Sequence, residues 1–302
     1  MWIILALAAT CLQTVRNAVT RSLSGKISPS LNSWSRFTFN LPFSAFLALL
    51  LTLRNGAPTL PPLFYVYCVG TALTQLLANV ALVKAFERSN FAQSIVLHKL
   101  EVVFTAIIGV LLFAEAPTAN GWIGIVVCSL GVLLINLGRD SGPEGWRRAF
   151  HIDMGAVFSL ACALGLVFAG FFLKAGSTQF VLANPRVGGG RFEAAAHTLF
   201  HTTWMEVAIL SVSLLLSQPQ AFRAVPRHWR RMLVLGFTAF SGSVGWFWAY
   251  SLTLVAYVKA VGTIESIFAV VLAIRVWREL EVWRQLPGVL LVLLGVALVV
   301  LG

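Results

Sequence analysis

Charged residues are scarce in this chain, making up 11% of its 302 residues against 58% hydrophobic residues. A typical soluble domain carries about 25% charged residues, so the composition excludes a soluble fold. Apolar runs of about 20 residues, the length that a helix needs to cross a bilayer, recur along the whole chain. The sequence therefore predicts a membrane protein with no soluble domain long enough to form its own core.

Cysteine is also rare, and its spacing is uninformative for metal or disulfide chemistry. The four cysteines fall inside apolar segments without CxxC or metal-ligand spacing, so we expect packing roles and neither disulfides nor zinc. They are Cys11, Cys68, Cys128 and Cys162. The start of the chain lacks the basic segment of a secretory signal, so residues 2–22 are predicted to be the first span.

Clustered histidine or aspartate motifs, which a membrane-embedded enzyme would need, do not occur in the sequence. His197 and His201 are spaced i, i+4, but no HExxH motif surrounds them. The glycine-rich segment Val187–Gly190 follows no predicted strand and precedes no GKS/T sequence, so it is not a phosphate loop. We expect no enzymatic activity, no metal and no cofactor.

Ten apolar spans are predicted, which gives an all-α fold class with ten transmembrane helices. They cover residues 2–22, 31–53, 63–86, 91–113, 121–137, 152–173, 197–216, 232–254, 256–277 and 286–302.

The net charge of +11 comes from basic residues in the short loops between the spans. Because they do not lie on one folded face, nucleic acid is not an expected partner. Loop parity assigns thirteen basic residues to one side of the membrane and only Arg54, Lys174, Arg186 and Arg191 to the other. The positive-inside rule then predicts that both termini are extracytoplasmic.

The two halves of the chain align with each other at an offset of 164 residues. At this offset Glu101 meets Glu265 and Glu115 meets Glu279, although the chain has only nine glutamates. Gly124, Gly131 and Gly138 likewise meet Gly288, Gly295 and Gly302. Each predicted repeat has five spans, and an odd number of spans forces the second repeat to enter from the opposite side. We predict inverted five-helix repeats at 1–138 and 152–302, with a connecting loop at 139–151.

The ten spans, the duplication and the segment GVLLFAEAPTANGWIGIVVCSLGVLLIN resemble the EamA-type branch of the drug/metabolite transporter superfamily. The most specific feature is a glutamate after spans 4 and 9, Glu115 and Glu279, followed by a span with regularly spaced glycines. The resemblance implies a secondary transporter of small organic solutes, often an exporter, in the bacterial inner membrane. It also implies a substrate pocket between the halves and cytoplasmic termini, whereas the charge count predicts the opposite sidedness.

Two glutamates at equal depth in spans 4 and 9 are the strongest site candidates. A charge at the bilayer centre costs about 2.5–3.5 kcal/mol on insertion scales, so Glu101 and Glu265 should face the protein interior or a wet cavity. Glu101 shares a helical stripe with Ser94, His98 and Thr105. Lys99 points away from this stripe and could pair with a neighbouring helix or extend toward a membrane interface. A structural ion pair with Lys99 or Arg16 is the alternative reading of both glutamates.

Other spans carry polar or aromatic residues at similar depth. They are Arg16 and Asn17 on span 1, Gln75 and Asn79 on span 3, and Trp246 and Tyr250 on span 8. The aromatic rings could offer a π surface to a planar or cationic substrate, or could serve packing alone. Arg16 could contact substrate or neutralise a glutamate.

The predicted function is transport of an amino acid, amine or related solute by alternating access, with export and proton coupling through Glu265, Glu101 and His98. Glu101 is expected to anchor substrate and Glu265 to carry protons, because Glu265 has Gly262 and Thr263 where Glu101 has His98 and Lys99. The alternative is a carrier of anionic metabolites that uses Arg16, His98 and Lys99.

The expected partners are a small-molecule substrate and the lipid bilayer. The regularly spaced glycines, Gly124, Gly131, Gly288 and Gly295, are predicted to let helices approach closely. The same glycine-spaced spans suggest a homodimer.

Overall fold

The computed structural model describes residues 1–23, 26–88, 97–137, 154–185, 190–268, 270–271 and 285–302. Regular structure in these ranges is helical. The helices are α1 Trp2–Leu23, α2 Pro29–Thr38, α3 Leu41–Asn55, α4 Pro62–Arg88, α5 Glu101–Phe113, α6 Ala119–Leu137, α7 Met154–Ala183, α8 Gly190–Ser217, α9 Val225–Leu252, α10 Val255–Gly262 and α11 Leu286–Leu301, with a 3₁₀-helix at Pro219–Ala224.

Six helical segments in the described ranges are long and apolar enough to cross a membrane. They are Trp2–Thr20, Pro29–Asn55, Pro62–Leu82, Met154–Ala183, Gly190–Ser217 and Pro219–Leu252, with shorter apolar helices at Ala119–Ile135 and Leu286–Leu301. Large apolar side chains point outward from several of these helices; Leu53 is 76% exposed and Leu216 is 83% exposed. This distribution suits a lipid environment, and the prediction of an all-α polytopic membrane protein is confirmed.

Two helices extend well beyond their predicted spans. Helix α7 continues to Ala183 instead of ending at 173, and α8 begins at Gly190 instead of 197. The polar residues that end the apolar runs have partners inside the protein: the hydroxyl groups of Ser177 and Thr198 lie 3.2 Å apart. Hydropathy underestimates helices whose polar side chains pair with each other, because it scores each residue as if it faced lipid.

The second predicted span is interrupted between α2 and α3. Pro42 in the first turn of α3 has no N–H to donate to the carbonyl of Thr38, so the helical hydrogen-bond pattern cannot continue through this point. Helix α9 packs against the interruption through Gly236, where a Cβ atom would collide with the backbone of Phe39. A larger residue at position 236 would therefore displace the backbone between α2 and α3.

The chain forms two compact units, each built from both halves of the sequence. The first unit contains Met1–Leu73 and Phe172–Leu252, and the second contains Thr74–Phe171 and Thr253–Gly302. Compactness in space and repetition along the chain are independent properties, so the repeat boundaries stay a prediction.

In the first unit, α1 packs along α9, and α8 packs on α2 and α3. Gly245 of α9 permits the close approach of α1, because a Cβ atom there would lie 2.9 Å from the Cβ atom of Ala9. A buried apolar cluster packs within this unit. Its members are Leu23, Leu31, Leu214, Met232 and Leu235.

In the second unit, α6 and α11 cross at glycines, which confirms the predicted close helix contact. A Cβ atom on Gly124 would lie 2.7 Å from the carbonyl oxygen of Gly295, and one on Gly131 would lie 2.8 Å from that of Gly288. The 164-residue offset converts one pair into the other, because Gly124 is equivalent to Gly288 and Gly295 is equivalent to Gly131. The two helices therefore run in opposite directions, as expected for equivalent spans of inverted repeats.

The centre of this crossing lies at a pair of residues that are themselves equivalent. The Sγ atom of Cys128 is 3.7 Å from the carbonyl oxygen of Val292, and 292 is 128 plus 164. A local two-fold axis between α6 and α11 would pass close to this pair. Gly138, the third glycine of the predicted series in span 5, lies outside the described residues.

Candidate functional site

Each of the two central glutamates follows an interruption in its helix. Before Glu101, the N–H of Leu100 donates to Leu97 at 3.3 Å, an i to i−3 hydrogen bond. Before Glu265, the N–H groups of Thr263 and Ile264 donate to residues 260 and 261 at 3.1 Å each, in the same i to i−3 pattern. Leu100 and Ile264 are equivalent at the 164-residue offset. Interrupted helices mark substrate and ion sites in many transporters, and here the interruptions fall at matched positions.

The two glutamates form crossed ion pairs, each with a lysine of the other predicted repeat. Lys99 Nζ lies 3.5 Å from Glu265 Oε2, and Lys259 Nζ lies 3.8 Å from Glu101 Oε2. All four side chains belong to the second unit. Their exposed fractions are 22% for Lys99, 16% for Glu265, 6% for Lys259 and 17% for Glu101, so the charges are largely removed from solvent. We name Lys99, Glu101, Lys259 and Glu265 the charge cluster.

The shortest polar contact of Lys259 is with a residue outside the charge cluster. Its ammonium group donates a hydrogen bond of 2.9 Å to the carbonyl oxygen of Leu166 in α7. Gly170, one turn later, lies beside the lysine stem, since a Cβ atom there would be in ordinary van der Waals contact with Lys259 Cε at 3.6 Å. At 3.8 Å from this ammonium group, Glu101 Oε2 is buried without a hydrogen-bond partner. A buried carboxylate oxygen in this state accepts any donor of suitable size, because an unmade buried hydrogen bond costs about 1–3 kcal/mol or more.

His98 lies beside the charge cluster and contacts α7. Its Nδ1 atom is 3.4 Å from Cys162 Sγ, and Cys162 is buried. This contact links the turn that carries His98 and Lys99 to the helix that supplies the Leu166 carbonyl.

The structure corrects one premise about the glutamates. The expectation that Glu265 lacks a nearby positive charge is wrong, because Lys99 reaches it from span 4. The proposed pairing of Lys99 with a neighbouring helix is confirmed. Sequence reasoning did not choose Lys259 as a site residue, although a lysine inside span 9 was a signal on its own, since charges at this depth are rare.

The predicted site residues on span 3 also fall in the second unit. Asn79 Nδ2 donates to the carbonyl oxygen of Gln75 at 2.9 Å, and both side chains are half-buried. Ala78 on the same helix packs against α7, where a Cβ atom on Gly165 would lie 3.0 Å from the Ala78 Cβ. Ser94, at the start of the predicted polar stripe, lies outside the described residues.

The remaining predicted site residues lie in the first unit. Trp246 Nε1 donates to Gln13 Oε1 at 3.1 Å, and the rings of Trp246 and Tyr250 stack with centroids 5.9 Å apart. Arg16 donates to Asn17 Oδ1 at 3.2 Å. The two aromatic rings therefore cover part of each other, and both pack against the buried cluster around Phe247.

Glu115, which follows α5, makes a contact at the start of another helix. Its Oε2 atom accepts a hydrogen bond of 2.9 Å from the backbone N–H of Val255, the first residue of α10. This bond satisfies one of the N–H groups that have no partner at a helix start. Glu279, the counterpart of Glu115, lies outside the described residues.

Comparison with known proteins places these observations in a family. The model of the EamA-like transporter family matches residues 1–137 and 188–301. A crystal structure described only as "Crystal structure of protein" shares the fold with a TM-score of 0.71 and 16% sequence identity, over 99% of this chain and 97% of its own. No curated protein matches the chain.

Proposed function

Because the chain belongs to the EamA-like transporter family, we propose that it is a secondary transporter of a small zwitterionic solute of the amino-acid type. The charge cluster is its substrate site, and transport proceeds by alternating access between the inverted repeats. Glu101 Oε2, a buried carboxylate oxygen without a hydrogen-bond partner, is the observation that carries this proposal.

A zwitterion suits the cluster because the cluster contains two ammonium and two carboxylate groups. The substrate ammonium binds Glu101, and the substrate carboxylate takes a position near Lys99 or Lys259. Each new contact replaces part of an existing ion pair, so the net charge of the buried site does not change. A solute with a single charge would leave one member of a buried pair without compensation, which costs about 3–5 kcal/mol.

Matched probes can separate these substrate classes. An apolar amino acid, the amine that lacks its carboxylate, and the acid that lacks its ammonium are added separately to the purified protein in detergent. The proposal predicts that only the amino acid raises the thermal unfolding midpoint. Stabilisation by the acid alone would favour the anionic-metabolite carrier with Arg16, His98 and Lys99, and stabilisation by the amine alone would favour an amine carrier.

A pair of glutamate variants tests the location of the site. Glu101→Gln should weaken amino-acid binding roughly tenfold or more, because it removes the charge that faces the substrate ammonium. Glu115→Gln is the matched control, since a glutamine oxygen can still accept the Val255 N–H at the start of α10. Equal loss in both variants, or in neither, would contradict the assignment of the site.

The proposed direction is export, driven by exchange with protons across the bacterial inner membrane. Reconstituted vesicles with an imposed pH gradient test both properties. Saturable counterflow of the amino acid that follows the gradient supports a proton-coupled carrier. Non-saturable flux without coupling would indicate a channel.

A further inference from the structure

A second group of buried polar side chains lies in the first unit and has no part in the proposed substrate site. Glu193 and His197 occupy successive turns of α8, and both are buried, with exposed fractions of 0% and 4%. Glu193 Oε1 and His197 Nε2 face each other at 3.9 Å. Neither atom has a hydrogen-bond partner.

The surroundings fix both side chains. Asn55 of α3 donates a hydrogen bond of 2.8 Å to the other carboxylate oxygen, Glu193 Oε2. The ring of Phe180 stacks on His197 with centroids 5.1 Å apart. Asn55 thus holds the carboxylate from one side, and the phenyl ring limits the rotation of the imidazole.

We infer that Glu193 and His197 together form one proton-binding site. When the neutral imidazole carries its own proton on Nδ1, the buried Glu193 carboxylate faces the lone pair of Nε2, and two acceptors oppose each other without a donor. A second proton, taken from hydronium and bonded to Oε1 or Nε2 while Nδ1 keeps its own, supplies that donor. A combined shift of about 1 Å in the two side chains then closes the 3.9 Å gap to a charge-assisted hydrogen bond.

The other groups around this pair do not supply the missing donor. His201 stands one turn further along α8, with its ring centroid 6.4 Å from that of His197, and its Nδ1 accepts a hydrogen bond from Trp204. Tyr65 of α4 packs edge-on against His201. Among charged groups on the packed helices, Arg54 is exposed next to Asn55, and Lys174 of α7 is half-buried.

The carboxylate also lies in the first turn of α8, where the helix dipole stabilises negative charge. That arrangement alone would explain a solvated glutamate at a helix start. It does not explain why the oxygen faces an imidazole nitrogen that is buried and has no hydrogen-bond partner.

Infrared difference spectroscopy between acidic and alkaline pH tests the inference without substrate or transport. The wild-type protein should show a carboxylic-acid C=O band that Glu193→Gln removes and that His197→Gln moves in pH midpoint by one unit or more, a tenfold change in proton affinity. A spectrum without any Glu193-dependent band would overturn the inference. So would a midpoint that His197→Gln leaves unchanged, since the carboxyl group would then titrate alone.

A third variant keeps the test decisive if Glu193→Gln does not fold. Asn55→Ala removes the donor to Oε2 but retains both titrating groups, so it should move the frequency of the same band. An unchanged frequency would show that the band arises from another carboxyl group.

The use of this site in transport rests on the proposed proton coupling. In vesicles, Glu193→Gln should abolish the response of amino-acid counterflow to a pH gradient and leave substrate binding intact. If the infrared band is present and the gradient response persists, the proton site stands and its coupling to transport is wrong.

Discussion

Lys99 Nζ lies 3.5 Å from Glu265 Oε2, and this contact joins spans 4 and 9, which are equivalent in the two predicted repeats. The contact between Lys259 and Glu101 joins the same two spans with the roles exchanged. The lysines are not equivalent at the 164-residue offset, whereas the glutamates are. The symmetric glutamates thus have counter-charges placed asymmetrically, which allows two similar spans to recognise two different ends of a substrate.

The first prediction concerns the stability of the crossed pairs. Lys99→Gln removes the ammonium group that faces the largely buried Glu265 carboxylate at 3.5 Å. It should lower the free energy of unfolding by about 2 kcal/mol, between the values typical of exposed and buried ion pairs. The double variant Lys99→Gln/Glu265→Gln should recover part of this loss. Thermal unfolding in detergent measures both effects.

Lys84→Gln is the control for this comparison. Lys84 is exposed and contacts only the ring of Phe158 among the interactions described for it, at 5.5 Å from the centroid. Its replacement should change stability by about 1 kcal/mol at most. A double variant less stable than Lys99→Gln alone would contradict the importance of the ion pair.

The second prediction concerns the glycine crossing of α6 and α11. Gly124→Ala should destabilise the protein by about 1–3 kcal/mol, because the new Cβ atom would lie 2.7 Å from a backbone carbonyl oxygen that cannot rotate away. Gly242→Ala is the matched control, since its nearest atoms are 3.6 Å away. This control should be neutral or slightly stabilising, because alanine favours helix over glycine by about 1 kcal/mol. Equal unfolding midpoints for the two variants would contradict the close contact between α6 and α11 at Gly124.

A disulfide tests the same crossing chemically. A Cβ atom at position 295 would lie 2.6 Å from Cys128 Sγ and 2.5 Å from the Cys128 backbone nitrogen. Once α6 and α11 move apart by about half an ångström to admit the side chain, Gly295→Cys should form a disulfide with Cys128 on mild oxidation. Cys128→Ser in the same background should abolish the crosslink, which is read by mass spectrometry of proteolytic fragments. Absence of the linked fragment in every oxidant tried would argue against the antiparallel pairing of the equivalent spans.

The membrane fold and the duplication were accessible from the sequence because both depend on local patterns. Apolar runs identify spans residue by residue, and the register of Glu101 with Glu265 needs no knowledge of packing. The matched glycines predicted the close contact of α6 and α11 for the same reason, since a residue without a side chain lets two helix backbones approach closely. The i to i−3 hydrogen bonds at Leu100 and Ile264 were not accessible, because both residues are ordinary helix formers.

The partners of the charged residues depend on which helices meet, and the sequence does not encode this locally. Lys259 stands six residues before Glu265 and belongs to a different helical face, so no periodicity connects it to Glu101. Glu193 was assigned to a loop because the apolar run of span 7 starts later. The i, i+4 spacing from Glu193 through His197 to His201 was the signal that could have extended the helix.

The predicted sidedness is tested by fusing a reporter to the C-terminus. Thirteen basic residues on one side against four on the other predict that an enzyme active only in the periplasm will function there. Fluorescence of a reporter that folds only in the cytoplasm would reverse the orientation. Insertion of the same reporters at the polar segment 139–151 gives the complementary result, since this loop is predicted to be cytoplasmic.

The last prediction separates the roles of the two central glutamates. Lys99 lies within ion-pair distance of Glu265, whereas Lys259 divides its contacts between Glu101 and the carbonyl oxygen of Leu166, and Glu101 Oε2 is buried without a hydrogen-bond partner. Glu101 is therefore the more open acceptor, and Glu101→Gln should lose amino-acid binding while Glu265→Gln retains it. Isothermal titration of the purified variants measures the difference.

The role of Glu265 in proton coupling can be measured on the same variants in vesicles. If Glu265 carries protons, Glu265→Gln will bind the amino acid normally but lose the dependence of counterflow on the pH gradient. The variant Glu193→Gln provides the comparison, because its site in the first unit is chemically separate from the charge cluster. Loss of the gradient response in only one of the two variants would assign the coupling proton to that residue. Wild-type binding and coupling in Glu101→Gln and Glu265→Gln would make the crossed ion pairs structural, and the substrate site would have to lie elsewhere.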